Sequence, residues 1–147
     1  MDDRYAIFTL LISKINRCIQ KIKSEEMSEF GLKGTHVSCL YYLYKENGNL
    51  TAKELSVRCG EDKGAISRTI DFLETNGYLT CESKTEKRYR SPLFLTEKGK
   101  DIGEYISLKI DTYLSLASIG IKKEERLSLY KNLNLIAENL QNICEKY

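Results

Sequence analysis

The stretch from residue 51 to residue 99 constrains the fold more than any other part of the chain. Thr51 and Glu54 have the spacing of a capping box at the start of a short amphipathic segment. Gly60 follows that segment and tolerates the left-handed backbone that ends many helices. Asp62 then stands as an N-cap before a second amphipathic segment. The stretch therefore predicts two short helices joined by a tight turn, and Val57 of the first helix is expected to face inward.

A β-hairpin pattern follows the second helix directly. Gly77 is the stop signal, residues 78–82 and 93–96 have the composition of strands, and Pro92 suits the first position of the returning strand. Leu50 is expected to form a very short strand that pairs with the hairpin. Two helices followed by a hairpin predict a winged helix-turn-helix, which places one helix in a DNA groove.

Long amphipathic segments flank this module on both sides. Further helices are predicted over residues 5–23, 35–46 (with Thr35 as N-cap), 97–118 and 123–145. The apolar stripe of the last helix is too extensive to be stable alone in water, so it must pack on its own domain or on a partner. The fold class expected is mainly α with a small β-hairpin wing and terminal dimerisation helices. We expect a dimerisation helix and connection over 1–34, a DNA-binding domain over 35–100 and dimerisation helices over 101–147.

The second helix of the pair has the composition that a recognition helix needs. Ile66, Ile70 and Leu73 share one side, and the opposite side carries small or polar residues and one arginine: Gly64, Ser67, Arg68, Asp71 and Thr75. Small residues permit close approach to the groove, and an arginine reaches phosphate or guanine. An ordinary amphipathic surface helix has the same pattern, so this helix alone does not decide the function.

The charge distribution is more informative than the total charge. The net charge of +2 is weak evidence for DNA binding. Between Lys84 and Arg90, however, the hairpin tip carries four basic residues against Glu86 alone. Such a tip gains affinity for DNA by releasing counterions from phosphates. The alternative is a tip whose charges only face solvent. The position of the basic tip directly after the helix pair favours DNA binding.

Composition argues against several other classes of protein. No apolar run approaches the ~20 residues that cross a bilayer, and the acidic start at Met1–Arg4 is unlike a signal peptide, so a cytoplasmic location is expected. The five cysteines form no Cys-x-x-Cys pair, which favours free thiols. His36 is the only histidine, and the sequence has no Gly-rich phosphate loop. We expect no enzyme activity, no metal site and no cofactor.

The order of these elements resembles the MarR family of bacterial transcription regulators over essentially the whole chain. The residues that carry the resemblance are Thr51–Leu55, Ile66–Leu79 and Leu95–Gly99. Other winged-helix families share the Leu-Glu-x-x-Gly and Leu-Thr-x-x-Gly spacings, so the combination is more specific than its parts. The resemblance implies a homodimer that binds a double-stranded, pseudo-palindromic operator, usually as a repressor. It also implies release by a small aromatic or anionic effector.

The resemblance implies DNA contacts from Lys63, Gly64, Ser67 and Arg68, and wing contacts from Lys87, Arg88 and Arg90. The complete set of expected contacts is Thr51, Lys53, Asp62, Lys63, Gly64, Ser67, Arg68, Thr69, Lys84, Lys87, Arg88 and Arg90. The sequence departs from the family at the wing, where Lys87 replaces the acid of an Asp-x-Arg motif. The arginine that enters the groove is therefore either Arg88 or Arg90.

Three further hypotheses concern what the protein senses and binds. Tyr41, Tyr44 and Tyr105 are candidates for an effector pocket, although core or interface packing explains any one of them as well. Some relatives sense oxidants through a cysteine of the first helix, which makes Cys18 a candidate redox sensor. A winged-helix protein-interaction module without DNA binding is the remaining alternative, motivated by the altered wing and the small net charge.

Overall fold

The computed structural model describes residues 3–47, 49–82 and 89–147. Within these ranges the helices are α1 (Arg4–Met27), α2 (Gly34–Lys45), α3 (Ala52–Cys59), α4 (Lys63–Thr75), α5 (Glu97–Ala117) and α6 (Lys123–Cys144). The strands are β1 (Leu50–Thr51), β2 (Leu79–Cys81) and β3 (Pro92–Leu95), and Ser28–Phe30 form a 3-10 turn. The predicted fold class, mainly α with a small hairpin sheet, is confirmed.

The caps of the helix pair form as predicted. The Thr51 hydroxyl accepts the Glu54 N–H at 3.2 Å, and the Glu54 carboxylate accepts the Thr51 N–H at 3.3 Å. Gly60 ends α3 with φ +64°. The Asp62 carboxylate accepts the Ala65 N–H at 2.7 Å. Each contact satisfies backbone donors that a helix leaves unpaired at its start, or turns the chain where a helix ends.

The three strands form one antiparallel sheet in the order β1-β3-β2. Leu50 pairs with Leu93, and Cys81 pairs with the same residue from the other side. The predicted strand at Leu50 is confirmed. Its pairing anchors the start of α3 to the hairpin, because α3 begins directly after β1.

The side of α4 that the sequence predicts to be buried packs into the core. Ile66, Ile70 and Leu73 are at most 1 % exposed. Other fully buried side chains come from α2, α3, the sheet and α5: Leu40, Leu43, Leu55, Leu79, Leu93 and Ile106. Burial of one such side chain contributes about 1.5–3 kcal/mol. This packing fixes which face of α4 remains exposed.

Three predictions about the helices were wrong. The first helix continues beyond residue 23 to Met27, which is 2 % exposed and packs into the core. The second helix begins at Gly34 rather than after a Thr35 cap, because the ring Nδ1 of His36 accepts the Lys33 N–H at 2.9 Å. Val57 was expected to face inward but is 79 % exposed.

His36 is expected to make stability depend on pH. Its ring stacks on Phe72 with centroids 4.1 Å apart, and burial, followed by the charge of Lys33, lowers its pKa below 6.5. The unfolded chain therefore takes up this proton first as the pH falls. The stability that neutral His36 contributes is present above pH 6.5 and decreases below it. Urea unfolding of the parent and of His36→Asn, which keeps an acceptor but does not titrate, should diverge below that pH; parallel curves would contradict this.

The start of α5 packs closely on neighbouring backbone and side chains. A Cβ placed on Gly99 would lie 2.0 Å from the Tyr78 carbonyl oxygen. A Cβ placed on Gly103 would lie 2.7 Å from Cβ of Tyr44. Glycine at these two positions permits α5 to approach β2 and α2.

The chain divides into two compact units, residues 1–108 and 109–147. The second unit contains the end of α5 and all of α6, and α6 has no buried residue. The domain boundaries expected from the sequence remain a prediction. Among the described residues, no helix combines the length and the apolar character that crossing a membrane requires.

Candidate nucleic-acid interface

The first turns of α4 present a small, polar and basic surface. Lys63, Gly64, Ser67 and Arg68 are all exposed. One guanidinium nitrogen of Arg68 lies 3.3 Å from the position that a Gly64 Cβ would occupy. The arginine therefore lies over the start of the helix, where backbone N–H groups favour an anion. This surface combines a long cation with small residues that permit close approach.

Thr69 does not belong to this surface. Its side chain is only 5 % exposed, because it lies on the side of α4 that packs into the core. The expected DNA contact from Thr69 is therefore corrected: in this fold the side chain is not available to a ligand. Thr69 lies at the border between the buried and the exposed side of α4, about 60° from Ile66 at 100° per residue.

The start of α3 lies beside Arg90, a residue of the hairpin. Arg90 is exposed and lines a cavity of about 490 Å³ together with Thr51, Lys53, Glu54, Val57 and Arg58. Arg58 is paired with Glu46 at 2.8 Å, an exposed contact that contributes little to stability. Lys53 is exposed. The folded chain thus gathers cations of α3 and of the hairpin on one side of the molecule.

A contact that the sequence did not predict joins the hairpin to α4. The Lys63 ammonium lies 4.7 Å from the centroid of the Tyr89 ring. A cation over an aromatic face is attracted by the ring quadrupole, by roughly 0.5–1 kcal/mol at an exposed site. The expected tip contacts at Lys84, Lys87 and Arg88 lie outside the described residues. Tyr89 nevertheless ties the chain beside the tip to the start of α4.

The three tyrosines suggested for an effector pocket have different surroundings. Tyr44 lines a cavity of about 410 Å³ with Leu43, Asn47, Phe94, Leu95 and Lys100. Tyr41 packs edge-on against Tyr42, with centroids 5.3 Å apart, and Tyr105 packs edge-on against Phe30 at 5.9 Å. Neither Tyr41 nor Tyr105 lines the cavity at Tyr44.

Cys18 is exposed on α1. In the described part of the chain, no cluster of three or more histidine, cysteine or acidic side chains is arranged to hold a metal ion.

Comparison with known proteins decides the family. A model described as the MarR family matches residues 30–88. YwoH of Bacillus subtilis, described as an uncharacterized HTH-type transcriptional regulator, is 32 % identical over 103 residues, which cover 68 % of this chain and 74 % of that protein. The chain belongs to the MarR family. It is therefore a DNA-binding transcriptional regulator, and the resemblance inferred from the sequence is confirmed.

Solved structures agree with the winged-helix fold of this MarR-family chain. A MarR family regulator from Neisseria meningitidis superposes with a TM-score of 0.82 at 18 % identity, over 99 % of both chains. MepR of Staphylococcus aureus, solved as a complex with DNA, has a TM-score of 0.78 at 17 % identity over 95 % of this chain and 99 % of its own. At these identities the likeness shows the fold alone.

Proposed function

We propose that this MarR-family regulator inserts the exposed face of α4 into the major groove of its operator. The observation that carries the proposal is the set of exposed side chains on the first turns of α4, with Arg68 lying over Gly64. Lys63, Ser67 and Arg68 would contact base edges or phosphates, and Gly64 would permit close approach. Asp62 would act indirectly, because its carboxylate already caps α4.

The hairpin and the start of α3 supply phosphate contacts in this proposal. Arg90 and Lys53 are exposed on the same side, and Thr51 lies with them around one cavity. Lys84, Lys87 and Arg88 extend the basic segment in sequence. Because Lys87 replaces the family's acid, either Arg88 or Arg90 is a candidate for the minor groove. Footprinting distinguishes them, since substitution of the arginine that enters the groove should change the protection of the minor groove.

A gel-shift titration with the upstream region of the chain's own gene tests DNA binding. Affinity should fall linearly in log–log plots against salt, by about 0.9 in slope for each phosphate contacted. Substitution of Arg90 by alanine should reduce that slope by about one, with little change in sequence preference. If no shift appears even at low salt, the protein-interaction alternative replaces this proposal.

We further propose that the regulator is a homodimer that binds two half-sites of a pseudo-palindrome. In the second unit, α6 exposes a run of large apolar side chains: Leu127, Leu129, Tyr130, Leu133, Leu135, Ile136, Leu140 and Ile143. In the first unit, α1 does the same from Tyr5 to Ile22. Exposed apolar surface of this extent marks an interaction site. The symmetry of a dimer matches the symmetry of the operator.

Replacing Leu133 by glutamate is expected to separate the dimer. Leu133 lies within the apolar run of α6, and an unpaired carboxylate in a buried interface costs several kcal/mol. Light scattering coupled to size exclusion should show a monomer for Leu133→Glu. Lys131→Glu changes an exposed charged position of the same helix and should remain dimeric. A parent chain that is monomeric at micromolar concentration would contradict the proposal.

Repression that is relieved by an effector completes the proposal. The cavity at Tyr44 has apolar walls from Leu43 and Phe94 and one cation at Lys100, which suits a small aromatic carboxylate. Such a compound should weaken the gel shift of the parent more than that of Lys100→Met. An equal effect on both proteins would place the effector elsewhere. A reporter fused to the operator distinguishes repression from activation, since deletion of the regulator raises expression only if it represses.

A further inference from the structure

Two cysteines that are far apart in sequence meet between α2 and α3. The sulfurs of Cys39 and Cys59 lie 3.9 Å apart, and a hydrogen bond joins them. Cys39 is completely buried, whereas Cys59, the last residue of α3, is only partly covered. One sulfur is therefore accessible and the other is held against it. The pair could not be predicted from residue spacing, because the two residues belong to different helices.

The surroundings of the pair favour the thiolate at Cys59. The hydrogen bond with Cys39 lowers the pKa of Cys59; partial burial opposes this shift, and the positive charge of Lys23 lowers the pKa further. The hydrogen bond with Cys59 and burial raise the pKa of Cys39. Glu61 opposes ionisation at both sulfurs. Cys59 is therefore the sulfur that ionises first, and Cys39 then donates the hydrogen bond between them.

Cys59 also borders a small polar cavity that could admit a reagent. The cavity has a volume of about 60 Å³ and is lined by Gln20, Lys23, Gly34, Thr35, Ser38, Cys59 and Glu61. One water molecule requires a cavity volume of about 10–15 Å³. A cavity of about 60 Å³ therefore holds a molecule the size of hydrogen peroxide, but not a bulky aryl hydroperoxide. The Lys23 ammonium donates to the Ser38 hydroxyl at 3.0 Å, which holds the cation at this cavity.

We propose that Cys59 is a peroxide-reactive thiol and that Cys39 is its resolving partner. The Cys59 thiolate attacks one oxygen of hydrogen peroxide, the O–O bond breaks, and the second oxygen leaves as water after protonation. The resulting sulfenic acid is attacked by the Cys39 sulfur, which forms the S–S bond and releases a second water. Overall, two thiols and one peroxide give one disulfide and two waters. Cys18, the cysteine suggested by family resemblance, takes no part.

The disulfide would alter the turn that leads into α4. A disulfide requires sulfurs about 2.05 Å apart, so the 3.9 Å separation must shorten, by rotation of the two side chains together with a shift of the end of α3 toward α2 in this proposal. Gly60 and Asp62, which set the direction of α4, follow Cys59 directly. Ser56 at the other side of this turn donates its hydroxyl to the Glu61 carbonyl. Movement of Cys59 is therefore transmitted to the first residues of the proposed recognition helix.

Peptide mapping of the full-length protein tests the chemistry without DNA. After hydrogen peroxide, alkylation and trypsin without reductant, the fragments spanning 34–45 and 59–63 should be found joined, with the loss of two hydrogens. The double variant Cys18→Ser/Cys144→Ser, which removes the two exposed cysteines, should give the same linked pair. Absence of the linked pair in both proteins would overturn the proposal. Oxidation confined to Cys18 or Cys144 would also overturn it.

Four variants separate the roles of the sulfurs and of Lys23. In Cys39→Ala the sulfenic acid has no resolving thiol, so dimedone should label Cys59, and in Cys59→Ser the buried Cys39 should stay unmodified. Lys23→Met should move the pH midpoint of Cys59 alkylation by iodoacetamide upward, and Lys23→Arg should restore it. Equal alkylation profiles in all three proteins would contradict a role for Lys23.

Cumene hydroperoxide should react with Cys59 more slowly than hydrogen peroxide does. The reverse order would contradict entry of the peroxide through the cavity.

The effect on DNA rests on the proposed function. Oxidised protein should bind its operator about tenfold more weakly than reduced protein, with recovery on addition of dithiothreitol. Cys59→Ser should bind equally well with or without peroxide. Because the disulfide is mapped separately, a disulfide that forms while operator affinity stays constant refutes the coupling alone. A reduced protein that binds no DNA refutes the proposed function alone.

Discussion

Replacing Arg68 by alanine is expected to weaken operator binding by about 1–3 kcal/mol, roughly 5- to 150-fold in Kd. Arg68 is an exposed arginine of α4, and its guanidinium lies beside Gly64 at the start of the helix. A bidentate contact to guanine both contributes affinity and discriminates among bases. The variant should therefore also lose preference for operator over unrelated duplex. Fluorescence anisotropy with both duplexes at one salt concentration measures the two effects together.

Lys45→Ala is the matched control for this prediction. It removes the same charge from an exposed residue at the end of α2, outside the proposed contact set. Its effect should be small and equal on both duplexes, because only long-range attraction is lost. Equal losses for the two variants, or an Arg68→Ala protein with the parent's affinity, would show that α4 is not the helix that enters the groove.

Gly99→Ala is expected to destabilise the fold by at least about 1–3 kcal/mol, the usual cost of overpacking. The new Cβ would lie 2.0 Å from the carbonyl oxygen of Tyr78, which is backbone and cannot rotate away. That oxygen also accepts the Thr96 N–H at 3.1 Å, so movement of either segment disturbs the junction of β3 and α5. Alanine normally stabilises a helix relative to glycine by up to about 1 kcal/mol, so this position should reverse the usual sign. Urea unfolding measures the difference.

Gly64→Ala is the matched control for stability. A Cβ there meets the flexible guanidinium of Arg68 and the carboxylate of Asp62 at 3.3 Å, so the carboxylate that caps α4 has to shift by only a few tenths of an ångström. This variant should keep the parent's stability or exceed it slightly. If Gly99→Ala unfolds at the same urea concentration as Gly64→Ala, the close approach of α5 to Tyr78 is not a feature of the folded protein.

Most of the fold could be predicted because its signals are local. Thr51 with Glu54, Gly60 and Asp62 all act within one helical turn, so their roles follow from spacing alone. The buried side of α4 also follows from a single helical period. Thr69 was misplaced because the period gives a direction but not how far neighbouring elements wrap around the helix. Val57 was misassigned for the same reason: α3 is short, and only part of its apolar side is covered.

The features that could not be predicted depend on contacts between distant segments. His36 takes over the start of α2 by accepting the Lys33 N–H and stacking on Phe72 of α4. Tyr89 meets Lys63, and Cys39 meets Cys59, only after the chain has folded. No spacing rule connects these residues, since each pair joins two separate elements. The MarR resemblance predicted the family. It suggested Cys18 as a redox-sensing cysteine, and not the pair formed by Cys39 and Cys59.

The most direct test of the central claim places a photocrosslinking amino acid at Ser67 on the exposed face of α4, or at Lys45 as a control. The labelled proteins are irradiated with the operator duplex at low salt, and the crosslinked bases are mapped. Crosslinks are expected from position 67 to bases within each half-site and none from position 45. Crosslinks from position 45 alone, or equal crosslinking from both positions, would contradict recognition of DNA by α4.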